Sequence, residues 1–137
     1  MLGLRRLLAP VAVGLVLAVL LASSASAASA DAPPSKLVAH LFAPTHRPKA
    51  ATRWPIRITA RDTDGHRVRG TVRYAFLYQG EVVMRQAPKG DRKFVGNFRD
   101  IHLAWSKRTI GLVLTFRAIV DTKLGQANLD YEVKVHR

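Results

Sequence analysis

Cysteine is absent from the 137-residue chain. That excludes a disulfide scaffold, a thiol nucleophile, a cysteine-based zinc site and a lipobox anchor. Acidic residues are few: 9 Asp and Glu stand against 22 Lys and Arg, a formal net charge of +13. Also missing are a Gly-x-Ser-x-Gly elbow, a His-Glu-x-x-His pair and a phosphate loop, so no motif predicts an enzyme or a bound cofactor. The length is too short for two ordinary domains and sufficient for one sandwich or barrel.

What is present begins with an address. Arg5 and Arg6 precede an uncharged apolar run from Leu7 to Ala22, and Ser23-Ser24-Ala25-Ser26-Ala27 follows. A basic end, an apolar stretch and small residues at −3 and −1 are the parts of a secretory signal peptide, here a helix over residues 1–27. Ala28-Ser29-Ala30 offers an alternative cut after residue 30. A retained membrane anchor is the competing reading. The run is shorter than the roughly 18 residues a spanning helix needs, and Pro10 and Gly14 interrupt it. Cleavage is therefore expected, with a membrane contact only through an uncut leader. Without 27 residues and two arginines, the 137-residue, +13 chain becomes 110 residues at +11. The expected location is extracytoplasmic: secreted, periplasmic or attached to the cell envelope.

Residues 28–35 are Ala, Ser, Asp and Pro, a flexible lead-in. From residue 36 to 137 apolar side chains alternate with period two, the mark of half-buried strands. Leu37, Ala39 and Leu41 form a first strand, ended by Pro44 and Pro48. Ile56, Ile58 and Ala60 face one way on the second strand, with Arg57, Thr59 and Arg61 opposite. Asp62-Thr63-Asp64-Gly65 makes a turn. The third strand sets Val68, Gly70, Val72, Tyr74, Phe76 and Tyr78 against Arg69, Thr71, Arg73, Ala75 and Leu77. Gln79-Gly80 turns into Glu81–Arg85, and Lys93–Asp100 carries Phe94, Gly96 and Phe98 on one face. A closing hairpin runs from Leu112 to Val120, turns near Leu124-Gly125-Gln126, and returns over Leu129–Val135. About seven strands without a helical period predict an all-β, antiparallel sandwich or barrel.

Three segments carry a resemblance: RPKAATRWPIRITARDTDGHRVRGTVRY at 47–74, FVGNFRD at 94–100 and LTFRAIVDTKLGQANLDYEVKV at 114–135. Their strand-and-turn cadence resembles the small immunoglobulin-like and fibronectin type III-like sandwiches of exported bacterial proteins. The resemblance implies an immunoglobulin-like β-sandwich acting as an adhesive, spacer or ligand-binding module, with no catalytic motif to carry over. Two departures stand out. The inter-sheet cysteines of antibody domains are missing, and Phe116 occupies the place of a corner tyrosine.

Arg57, Arg61, Arg69, Arg73 and Arg117 all fall on outward strand positions. If their strands neighbour one another, they form a basic patch suited to an anionic envelope polymer, a glycan or a protein partner. The plainer alternative is a solubilising face. Nucleic acid is disfavoured by export and by the lack of a recognition module. Tyr74, Phe76 and Tyr78 alternate with the arginines and are expected in the core. Trp54 and Trp105 stand beside chain breakers, either plugging the sandwich ends or exposed as binding aromatics. Asp62-Thr63-Asp64-Gly65 supplies half a calcium loop, but basic residues follow where further oxygen ligands belong, which favours a plain turn. Five histidines (40, 46, 66, 102 and 136) and Met84 motivate an alternative function, a copper carrier. None of the five has the close spacing of a preformed metal site. Asp62, Asp64, Asp100 and Asp121 fall at turns or strand ends, where Asp commonly bonds backbone.

Overall fold

The computed structural model describes residues 33–137. The leader and most of the lead-in assigned above lie outside the described residues. Eight antiparallel strands follow: β1 (Leu37–Phe42), β2 (Ile56–Asp62), β3 (Arg69–Tyr78), β4 (Glu81–Gln86), β5 (Lys93–Val95), β6 (Asn97–Asp100), β7 (Val113–Thr122) and β8 (Gly125–Lys134). Among the described residues there is one 3-10 turn, Lys107–Thr109, capped by Ser106, whose side chain accepts from the Arg108 N–H. The described residues thus form an all-β sandwich of two antiparallel sheets.

One hydrogen-bonded path links the strands in the order β1-β2-β6-β5-β3-β7-β8, with β4 beside β3. The path turns a corner at the junction of β5 and β6, held by the single pair Val95↔Asn97. One layer is β1-β2-β6; the other is β3-β7-β8 with β4 and β5 sharing the far edge of β3. Residues 93–100, which read as one strand, are therefore two. Gly96 separates them with φ +73°, a left-handed conformation that glycine adopts without steric cost. The alternation survives the break: Phe94 and Phe98 are both buried.

On the opposite side the chain also changes layers. After β1 it passes Pro44 and runs beside the end of β8, where Lys49 and His136 form a parallel bridge. The Lys134 N–H donates to the His46 carbonyl at 2.8 Å, and the His136 N–H to that of Pro48 at 3.0 Å. Such crossings close a sandwich whose sheets would otherwise end in open edges.

The core sits between the layers. Phe116 and Val120 are fully buried on β7, Ile56 and Ile58 on β2, and Val72 and Tyr74 on β3. Phe116 lies within 5.0–5.5 Å, centroid to centroid, of Tyr74, Trp54 and Phe76. Both tryptophans are buried, with their rings edge-on at 5.3 Å. They pack the interior; neither is an exposed binding aromatic. Each such side chain contributes on the order of 1.5–3 kcal/mol through burial, the stabilisation available to a sandwich without disulfides. Tyr78, at the end of β3, is the one member of its aromatic stripe left partly exposed. Ala75 and Leu77 depart the other way. They occupy outward positions yet are buried, because β3 is central and both are flanked by paired strands.

Candidate anion-binding face

The outward side of the β1-β2-β6 layer is built from three cross-strand rows. Val38 pairs with Arg61; His40, Thr59 and Asn97 form the middle row; Phe42, Arg57 and Arg99 form the last. No Asp or Glu belongs to these rows. Phe42 is 47% exposed, and the Arg57 guanidinium carbon lies 4.7 Å from its ring centroid. Arg57 and Arg99 face each other directly across β2 and β6. Like charges so placed, with Cβ atoms about 5 Å apart, destabilise a sheet unless an anion lies between them. The row borders a depression of about 320 Å³ lined by Phe42, Ala43, Pro44, Pro55, Arg57 and Arg99.

The five arginines singled out in the sequence divide between the layers. Arg57 and Arg61 stand on β2; Arg69 and Arg73 on β3; Arg117 on β7. β2 and β3 are not hydrogen-bonded neighbours, so the five do not form one patch on one sheet. Two are committed internally. Arg73 pairs with Asp121 at 3.0 Å, and Arg117 grips Asp130 through Nε and Nη2 at 2.7 and 2.8 Å. The hydrogen bond from Arg117 holds the Asp130 carboxyl below its ordinary range, against partial burial, and raises the Arg117 guanidinium in turn. Among the described residues the only other contact between a basic and an acidic side chain is His66–Asp62, an ion pair only with His66 protonated. Arg57, Arg61, Arg69 and Arg99 are in none. Arg61 donates to the Gly65 carbonyl at 3.0 Å. Arg99 was missed in the sequence because its importance depends on β2–β6 register, which no local pattern displays.

The carboxylates have partners of their own. Asp62 Oδ1 accepts the N–H groups of Asp64 and His66, its Oδ2 meets His66 Nδ1 at 3.1 Å, and Asp64 accepts from Ser35. Asp62, Asp64 and His66 are the only group of three close metal-type donors among the described residues. Their contacts to one another and to the turn backbone account for the arrangement. His46 stacks on Tyr131 at 4.0 Å with Nδ1 2.6 Å from the Glu132 carbonyl. Met84 lies on the exposed β4. Asp100 is the one buried charged residue among those described, 4% exposed; it accepts from Tyr74 Oη and the His102 N–H, both at 2.7 Å.

An apolar groove of about 450 Å³ lies between β4 and the 3-10 turn, lined by Phe76, Val83, Met84, Trp105, Leu112 and Leu114. Trp105 Nε1 has no hydrogen-bond partner, and its ring stands edge-on to Trp54 and Phe76.

No family model and no curated protein matches the chain. Among solved structures it is similar to the crystal structure of an engineered protein, with 17% identity and a TM-score of 0.48. The match covers 74% of this chain and 20% of that one.

Proposed function

We propose that the chain is an exported, non-catalytic binding or spacer module of the immunoglobulin-like or fibronectin type III-like kind. It engages anionic envelope polymers or glycans through the outward face of β1-β2-β6. The observation that supports this most is the opposed Arg57–Arg99 pair, which faces outward with no carboxylate in its rows and with Phe42 beside it. Guanidinium forks recognise sulfate, phosphate and carboxylate through paired hydrogen bonds. A half-exposed aromatic ring adds an apolar platform for a sugar face. Dextran sulfate and neutral dextran share one backbone and differ in charge, so titration calorimetry with each separates the contributions. Binding to dextran sulfate that weakens with salt, with little binding to dextran, is the expected result. Equal binding to both, or to neither, would sink the proposal.

A further inference from the structure

We infer that the ligand is a linear polyanion lying over the corner where the two layers join, and not a single anionic group held at Arg57 and Arg99; this rests on the reading just given. The corner carries the outward face of one layer onto that of the other. Arg61 on β2 forms an antiparallel bridge with Arg67, and paired residues share a face. Arg67 lies two residues before Arg69, so both point the same way along the chain that becomes β3. Val68 accepts from the Gly96 N–H at 2.9 Å and donates to the Ala60 carbonyl at 3.1 Å, which ties this segment to both layers.

A second chain follows the same bend. Arg99, Asn97, Val95 and Lys93 alternate outward along β6 and β5, with Lys93 opposite Thr71 on β3. The result is a strip running Arg99, Arg57, Arg61, Arg67, Arg69 and Lys93. All but the half-buried Arg61 are exposed, and none is in an ion pair among the described residues. Counting strand rise and cross-strand spacing, the path from Arg99 to Lys93 is about 37 Å long. Gly96 makes the bend passable. A Cβ there would come within 2.6 Å of Arg67 Cγ, so the Arg67 stem lies flat over bare backbone. The nearby carboxylates are already partnered, including Asp121, which lines the same depression as Arg69 and Lys93. Asp62 is tied to His66, Asp64 accepts from Ser35, and Asp121 is held by Arg73. One small anion would leave most of these six cations unanswered, whereas a polymer with repeating charge meets them in succession.

Heparin oligosaccharides serve as probes, a tetrasaccharide for the Arg57–Arg99 end and a decasaccharide for the full strip. The double substitution Arg67→Gln with Arg69→Gln should weaken the decasaccharide about tenfold and flatten its salt dependence. It should leave the tetrasaccharide within about twofold, while Arg67→Lys with Arg69→Lys, which keeps both charges, retains most of the decasaccharide affinity. Tetrasaccharide binding that depends on Arg57 and Arg99, with decasaccharide affinity indifferent to Arg67 and Arg69, would overturn the strip and leave the proposed function standing. No binding of either oligosaccharide to the unsubstituted protein would overturn both.

Discussion

Tyr74 on β3 donates its phenolic hydrogen to the buried carboxylate of Asp100 at 2.7 Å, joining one layer to the other through the interior. Burial, followed by the hydrogen bond and the negative charge of Asp100, pushes the phenol well above the ordinary tyrosine range. Tyr74→Phe should cost about 1–3 kcal/mol, because Asp100 loses a donor it cannot replace with water. The folded form favours the protonated phenol, so this stabilisation is full below the ordinary tyrosine value near pH 10. It declines as pH rises above that value. An absorbance titration of the native protein minus that of Tyr74→Phe should show no phenolate step near pH 10. Such a step while the protein is folded would mean that Tyr74 is not held as a buried donor to Asp100.

Phe116 is fully buried and touches three other aromatic rings, Trp54, Tyr74 and Phe76. Phe116→Ala is expected to destabilise by about 3–5 kcal/mol, a large share of a typical domain's stability. Thermal denaturation should detect a fall of well over 10 °C, at roughly 4–8 °C per kcal/mol for a domain of this size.

Gly96→Ala combines a positive φ with a collision against Arg67. A loss of about 1–3 kcal/mol should appear in urea denaturation. A silent substitution would mean that the corner backbone has another conformation.

Arg117 and Asp130 form a partly exposed, two-pronged ion pair on the outer face of β7-β8. The depressed Asp130 carboxyl adds stability above the ordinary carboxylate range. That contribution disappears as pH falls through the folded value. Solvent screening keeps it to roughly 0.2–1 kcal/mol. Asp130→Asn should remove that increment at neutral pH and flatten the acid limb of a stability–pH curve below about pH 4.

The strands were legible because a half-buried strand repeats every two residues. Leu114, Phe116, Ala118 and Val120 alternate with Thr115, Arg117 and Ile119, and burial follows that order. The corner was not legible. Phe94, Gly96 and Phe98 keep their period while the chain changes layers, so alternation cannot mark the change. Pairing was equally hidden, since Arg57 meets Arg99 and Arg73 meets Asp121 across distant stretches of chain. Composition gave the excess of positive charge; register determines which arginines already have a carboxylate.

That division provides the most direct measurement. Arg57→Gln with Arg99→Gln removes two charges lacking carboxylate partners, and Arg73→Gln with Arg117→Gln removes two that are paired. Both double variants carry the same net charge, so calorimetric affinity for dextran sulfate at one salt concentration separates site from bulk electrostatics. The first pair should lose about tenfold in affinity, ~1.4 kcal/mol, and the second less than about twofold. Equal losses would mean that the basic face acts through net charge alone and that Arg57 and Arg99 form no site.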